Sequence, residues 1–320
     1  MISRRQLRIK TLQTLYAYYT SGQENIEKAE KELIYNIDKA YDLYHYLLML
    51  IIEVADYAEG RIDLARNKLK PTFEDLHPNT RFIDNRLVGL LRDCDQLKRY
   101  RDHKKLSWVN YPELIREIYL AILEDAEYKE YMERETVTFS DDKKIIAHIC
   151  THIILPDLNL DQALEEQSIY WNDDLEFMIS MVLKTIKKLK EDTNAGFSLP
   201  PLFKNEEDRD FAVQLFRESI IHRTEYLEYI KKNTNNWDLE RIAFMDILIM
   251  QMAITEFIGF QSIPTKVTLN EYLDISKSYS TSKSSVFING VLDKVVADLK
   301  SEKKIQKTGR GLIGENIEEV

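Results

Sequence analysis

The stretch IPTKVTLNEYLDISKSYSTSKSSVFINGVLD, residues 263–293, predicts two helices separated by a polar turn. Apolar side chains recur at helical spacing up to Tyr279, and Thr268 with Glu271 has the capping-box pattern of a helix start. The serine-rich run that follows offers a cap for a second helix. The apolar stripe of that helix consists of Phe287, Ile288, Val291, Leu292, Val295 and Leu299. This part of the chain is therefore expected to form a helical hairpin.

The second helix contains the pair Asn289-Gly290, which elsewhere is typical of a tight hairpin turn. The helical period on both sides argues for a helix here instead. A glycine inside a helix costs about 1 kcal/mol relative to alanine. We therefore expect another group to approach the backbone at Gly290.

Composition indicates a globular, all-α protein with room for more than one domain. The chain has 320 residues, of which only 9 are glycine and 7 are proline. Its net charge of −10 argues against general electrostatic adhesion to nucleic acid, so any such contact should come from local basic patches. The two cysteines, Cys94 and Cys150, fit a reducing compartment rather than a disulfide framework.

The most apolar run, residues 242–258, contains Asp246, Gln251 and Glu256. Because a membrane span of this length would carry few or no charges, the run predicts a buried core helix, which we expect Trp237 and Asp238 to open. The N-terminal residues lack the apolar core of a secretory leader. We therefore expect a cytoplasmic protein without a membrane segment.

The first helix is predicted to start at Ser3, with Gln6 completing a capping pattern. At 3.6 residues per turn, Arg5 and Arg8 fall on the continuation of its buried stripe. Because arginines are seldom buried without a partner, these turns should either overhang the core or meet an anion. A basic helix start is a plausible phosphate site, and a solvated cationic end is the equal alternative.

Residues 23–204 read as further helices with few chemical signals. His148 and His152 share a helix face, but a zinc site needs a third ligand, so core or surface histidines are the better interpretation. Trp108 could stack on a base, although buried aromatics are commoner. The sequence contains no phosphate-cradling glycine loop and no nucleophile elbow. We expect no enzymatic activity, no cofactor and no metal.

Several motifs resemble the NusB family of bacterial transcription antitermination factors. They are residues 266–271 (KVTLNE), residues 277–279 (KSY), residues 287–293 (FINGVLD), and an arginine-rich first helix followed by Thr14-Leu15-Tyr16. The resemblance implies a NusB-like helical bundle of residues 1–22 and 205–300, interrupted by a large helical insertion, residues 23–204. Residues 301–320 are expected to form a basic, disordered tail.

The same resemblance implies a role in transcription. Such a factor would bind boxA RNA with the ribosomal protein NusE, within the RNA polymerase antitermination complex, and promote read-through in ribosomal RNA operons. The implied NusE contact is Asp246, for which an internal partner is the alternative. For Tyr279 and Phe287, core packing is as plausible as base stacking. The resemblance ties Arg4, Arg5, Arg8 and Tyr16 to boxA RNA binding. The predicted RNA-binding set is completed by Lys277, Tyr279, Lys283, Phe287 and Asn289.

Two rival functions lack sequence-specific RNA binding. One is a helical scaffold that binds proteins only, and the other is an RNA-processing or ribosome-assembly factor that uses the same surface. A reader of boxA RNA should discriminate against a scrambled sequence and lose affinity as salt rises. A scaffold should do neither.

Overall fold

The computed structural model describes residues 2–193, 196–234 and 239–314, and every regular element within these ranges is helical. The predicted all-α class is confirmed. Trp237 and Asp238, predicted to open the central helix, lie outside the described residues. The helices are α1 (Arg4–Thr20), α2 (Ile26–Arg66), α3 (Phe73–Leu76), α4 (Arg86–Asp93), α5 (Asp95–Lys104), α6 (Pro112–Glu124), α7 (Ala126–Glu133), α8 (Phe139–Ile149), α9 (Leu158–Gln167), α10 (Leu175–Lys188), α11 (Glu206–Ile221), α12 (Arg223–Asn233), α13 (Phe244–Gly259), α14 (Thr265–Tyr279) and α15 (Ser284–Ser301).

The chain divides into a terminal unit, Ile2–Ile37 with Phe203–Val320, and an inserted unit, Asp38–Leu202. The first boundary therefore lies inside α2, well after the predicted position at residues 22–23. The reason is that the start of α2 belongs to the bundle. Leu33 and Ile37 are fully buried there, and Glu30 accepts two hydrogen bonds from Arg217 of α11.

The inserted unit is built around a buried aromatic cluster. The rings of Tyr46 and Trp108 stack with their centroids 3.8 Å apart, and the Trp108 indole N–H donates to the Tyr46 carbonyl oxygen. Trp108 is therefore a core residue and is not free to stack on a base. His148 instead binds the Asp125 carboxylate at 3.0 Å, and the described residues contain no cluster of three metal-ligating side chains.

A second buried cluster in this unit is polar. His45 is fully buried, its ring lies flat on that of Tyr100 at 3.6 Å, and its Nδ1 is 2.9 Å from the Tyr41 carbonyl oxygen. Tyr100 donates its hydroxyl hydrogen to Asp42 at 2.7 Å. Burial lowers the pKa of His45 to about 4, against an ordinary value near 6.5.

In the terminal unit, α13 is the central helix and contacts α1, α11, α12, α14 and α15. Its residues 246–257 are all buried, as expected for a helix that is apolar nearly all round at the middle of a bundle. Because α13 is buried, any polar side chain on it must find its partner inside the protein or at the helix ends. Among the described helices none is both long and apolar enough to cross a membrane.

Helix starts in the terminal unit follow the predicted pattern only in part. Ser3 caps α1 as predicted, accepting from the Gln6 backbone N–H. The capping box at Thr268 and Glu271 is wrong, because α14 already begins at Thr265, after Pro264. The side chains of Thr268 and Glu271 are engaged in tertiary contacts instead.

The segment after α15 packs against the bundle up to Gly314, so the predicted disorder does not hold for residues 302–314. The Lys307 ammonium donates to the Phe260 carbonyl oxygen at 3.0 Å, at the C-terminal end of α13. Lys304 binds Glu225 at 2.7 Å. A side chain at Gly311 would place its Cβ 1.9 Å from the Gln261 carbonyl oxygen, so only glycine fits there.

Candidate nucleic-acid interface

The three arginines at the start of α1 all bind carboxylates of their own unit. Arg4 Nε lies 2.9 Å from Asp208, and Arg5 Nε lies 3.0 Å from Glu271. Arg8 Nε lies 2.8 Å from Glu256. For Arg8, the anion that the buried stripe of α1 requires is therefore a carboxylate of the protein itself, that of Glu256.

Arg8 and Glu256 form a buried ion pair in the centre of the bundle. The Arg8 side chain is 3% exposed and that of Glu256 is 0% exposed, and two parallel hydrogen bonds of 2.8 Å join them. Thr268 and Tyr272 donate their hydroxyl hydrogens to the same carboxylate at 2.7 and 3.2 Å. Arg8 is therefore not available to an RNA phosphate in this structure.

Two opposing effects set the pKa of Arg8. Burial lowers it, since a charge is poorly solvated in the interior, but the hydrogen bonds and negative charge of Glu256 outweigh burial and raise it. Burial, reinforced by the Glu256 charge, also raises the pKa of the Tyr272 hydroxyl well above its usual range. The arginine therefore stays charged and the tyrosine neutral, which keeps all four hydrogen bonds to Glu256 intact.

Arg5 is exposed and shares an acid with a second cation. Its Nη2 lies 2.8 Å from Asp274 Oδ2, and the Lys277 ammonium lies 2.8 Å from Asp274 Oδ1. The hydrogen bond from Lys277, with that from Arg5, holds the pKa of Asp274 below its ordinary value. Because these groups are solvated, the pairs are weak and can exchange for other anions.

Side chains of α1 meet side chains of α14 at two places. Arg5 meets Asp274, and further along both helices Gln13 donates to the Tyr279 hydroxyl at 3.4 Å. One turn beyond Gln13, Tyr16 is 43% exposed and its ring centroid lies 5.8 Å from that of Phe244. We call the surface formed by Arg5, Gln13, Tyr16, Lys277 and Tyr279 the α1–α14 face.

Asp246 anchors the loop between α14 and α15. It is 5% exposed, and its carboxylate accepts hydrogen bonds from the hydroxyl groups of Ser280 and Ser284, the latter at 2.9 Å. The serines of this loop were expected to cap α15, but Ser284 is already its first helical residue and no side chain caps it. The loop carries the exposed Lys283 next to Ser284.

Beyond the loop, α15 presents a half-buried Phe287 and a half-buried Asn289. The Asn289 amide donates to Asp293 one turn on, at 3.0 Å. Nothing in the described ranges lies within 4 Å of the position that a Cβ at Gly290 would take, so the expected close approach does not occur within the described structure. The backbone at Gly290 is instead exposed on the surface of α15.

Local sequence patterns do not identify the acids that engage these cations. Glu271 and Asp274 lie on the same helix as Lys277, and their spacing of three puts them on one face. Glu256 stood out as a charge in an apolar run, as Asp246 did. The signal that links Glu256 to Arg8 is that both are charged residues predicted to lie on buried helix faces.

The helical bundle of the terminal unit is similar to proteins of a known family. The model of the NusB family matches residues 180–297. The transcription antitermination protein NusB of Salinibacter ruber is 44% identical over 114 residues, which is 36% of this chain and 71% of that protein. The chain belongs to the NusB family. The NusB proteins of Chloroherpeton thalassium and Natranaerobius thermophilus are 38% and 36% identical, over 50% and 74% of their own lengths. No solved structure matches the chain.

The NusB match includes helices α11 to α14 and most of α15, and so includes Asp246, Lys277 and residues 287–293. Helix α1 lies outside the matched range, and its place in the bundle is given by its contacts with α11 and α13. Most of the inserted unit also lies outside the match.

Proposed function

We propose that this protein is a non-enzymatic transcription antitermination factor. It binds boxA RNA together with the ribosomal protein NusE, in the antitermination complex of RNA polymerase, and promotes read-through in ribosomal RNA operons. Membership of the NusB family supports the antitermination role. The observation that carries the RNA-binding part is the α1–α14 face, where two exposed cations, Arg5 and Lys277, lie on the same side as the exposed ring of Tyr16.

The chemistry of this face suits single-stranded RNA. Unstacked bases bind aromatic faces, and Tyr16 offers its exposed ring, while Tyr279 of α14 contacts Gln13, one turn before Tyr16 on α1. Phosphates bind guanidinium and ammonium groups, which Arg5, Lys277 and the loop residue Lys283 supply. Arg4 is half-buried against Asp208 and can contribute at the edge, whereas Arg8 supports the face from inside by fixing α1 to α13.

Replacing Arg5 with alanine is expected to weaken boxA binding by about tenfold at low salt, because one phosphate contact is lost. The slope of log affinity against log salt should become shallower by about 0.7, the value for one phosphate of a single strand. Filter binding across a salt series measures both quantities. Lys231→Ala on α12 is the matched control, since Lys231 is also exposed but stands on a helix that packs on α13 and α15.

The wild-type measurement separates the candidate functions. A boxA reader binds boxA RNA more tightly than a scrambled RNA of the same length. Equal, weak and salt-independent binding of both RNAs would reject the proposal in favour of a scaffold that binds proteins only.

Removing the charge of Asp274 is expected to have the opposite effect. In Asp274→Asn, Arg5 and Lys277 each lose an internal partner, and a negative charge next to the bound phosphate disappears. Exposed pairs of this kind contribute up to about 1 kcal/mol each, so boxA affinity should rise by about three- to tenfold. Asp210→Asn, an exposed acid on α11, serves as control. Unchanged or weaker boxA binding by Asp274→Asn would show that Arg5 and Lys277 do not meet phosphate.

For NusE we propose a surface formed by the loop of Ser280 to Ser284 and the start of α13, which Asp246 holds together. Asp246→Asn is expected to reduce co-purification of NusE. Ser284→Ala removes one of the same hydrogen bonds and leaves the charge. Loss of NusE in both variants indicates that Asp246 acts by positioning the loop, and loss in Asp246→Asn alone indicates direct contact. Full recovery of NusE by Asp246→Asn would contradict any role of this residue.

A further inference from the structure

The inserted unit contains a groove between the end of α2 and one face of α6. Residues at helical spacing line both sides of the groove. On α2 they are Tyr57, Arg61 and Ala65, and on α6 they are Arg116, Tyr119, Leu120 and Leu123. The space between these faces is about 480 Å³, within the range of sites that hold several side chains of a ligand. The third wall of the groove includes Glu74 and Asp75 of α3.

The helices that border the groove leave large apolar side chains uncovered. From residue 59 to residue 70 not one residue is buried. Leu64 is 67% exposed, Phe73 is 77% exposed and Leu69 is completely exposed. Leu120, which lines the groove, is 46% exposed. Large apolar side chains exposed this close together in sequence, beside a groove, point to an interaction site.

The segment of residues 61–70, which forms one side of the groove, is positively charged, in contrast to the chain as a whole. Residues 61–70 carry four cations and one acid, whereas the net charge of the chain is −10. Asp75 already binds Lys68 at 2.8 Å. Among the described residues, Arg61 and Lys70 have no carboxylate within ion-pair distance. Glu74 is the one acid of the described lining without a cation within that distance. An occupant that carries carboxylates beside its apolar side chains therefore matches this surface.

We propose that the groove between α2 and α6 binds an acidic amphipathic helix of a partner protein. The apolar side chains of that helix lie on Ala65, Tyr119, Leu120 and Leu123, and a carboxylate binds Arg61. The uncovered Leu64 and Leu69 extend the contact beyond the groove. This assignment gives the inserted unit a recruiting role that does not depend on RNA binding by the terminal unit.

Fluorescence anisotropy with the full chain tests the proposal. The probe is a labelled synthetic helix with leucines at helical spacing on one face and glutamates on the other, compared with the same helix carrying lysines instead. The glutamate peptide is expected to bind and the lysine peptide to bind at least about tenfold more weakly. Arg61→Glu and Leu120→Ser should each weaken binding of the glutamate peptide by about tenfold. Both side chains are exposed, so neither change should disturb the fold.

Arg99→Glu, an exposed charge reversal on α5, is the matched control and should bind the peptide as the wild type does. Three outcomes overturn the proposal. They are equal binding of both peptides, binding of a single-stranded RNA that Arg61→Glu abolishes, and a concentration-dependent dimer of the chain that Leu120→Ser dissociates.

Discussion

Replacing Arg8 with methionine is expected to lower the free energy of unfolding of the terminal unit by about 3–5 kcal/mol, since it leaves the Glu256 carboxylate buried without its counter-charge. The guanidinium also packs over the ring of Phe211 at 5.2 Å, and that contact is lost as well. Hydrogen exchange of α13 and urea denaturation followed by circular dichroism both measure the effect. The exchange data assign it to the terminal unit.

A double variant distinguishes the buried charge from simple loss of packing. Arg8→Met combined with Glu256→Gln removes both charges, while the amide oxygen that replaces the carboxylate can still accept from Thr268. It should recover part of the stability that Arg8→Met loses. Arg5→Ala, whose side chain is 48% exposed, should change stability by less than about 1 kcal/mol. If Arg8→Met falls within about 0.5 kcal/mol of the wild type, the ion pair is not a determinant of stability.

This prediction affects how RNA-binding data are interpreted. Loss of RNA binding in an Arg8 variant would reflect a loosened bundle rather than a missing phosphate contact. Arg5 is the better residue for testing recognition, because its own side chain is exposed and its removal spares the core.

The inserted unit is expected to lose about 3 kcal/mol of stability as the pH falls from about 6.5 to about 4. Burial keeps His45 neutral in the folded chain, with a pKa of about 4, whereas the unfolded chain takes up a proton on this residue near pH 6.5. The unfolded state binds more protons throughout this window, so acid favours unfolding. Above about pH 6.5 the contribution is fully present, and below about pH 4 no more is lost.

His45→Phe tests the source of the slope. Phenylalanine keeps an aromatic ring against Tyr100 but cannot take up a proton, and the partners that face His45 (Asp42, Tyr41 and Lys104) stay in place. Urea unfolding followed by the fluorescence of Trp108 and Trp171, in a Trp237→Phe background, should show a shallower pH dependence for His45→Phe across the same window. Equal slopes would mean that the carboxylates, rather than His45, set the acid sensitivity.

Much of the terminal bundle follows from local sequence signals. Period 3.6 in the apolar residues predicts α14 and α15, and the apolar run with Asp246 and Glu256 predicts a central core helix, because these patterns depend on neighbours within a few turns. The pairing of Arg8 with Glu256 does not follow in this way. The two residues are 248 positions apart, and which buried charges meet is decided by the packing of α1 on α13.

The wrong predictions concern contacts between distant parts of the chain, which local sequence patterns do not show. Thr268 and Glu271 match a capping box locally, but their side chains bind Glu256 and Arg5 once the helices pack. The lysines after α15 suggested a disordered basic tail. Lys304 and Lys307 instead bind Glu225 and the end of α13, which composition alone cannot indicate. Gly290 was expected to admit a close neighbour, and within the described ranges none approaches it.

The course of α2 determines how a shortened version of this protein should be cut. Excision beginning at residue 24 would remove Leu33 and Ile37 from the bundle, together with Glu30, whose carboxylate accepts a hydrogen bond from Arg217. Excision beginning at Asp38 would spare all three. A minimal bundle for crystallisation or spectroscopy should therefore retain the first three turns of this long helix.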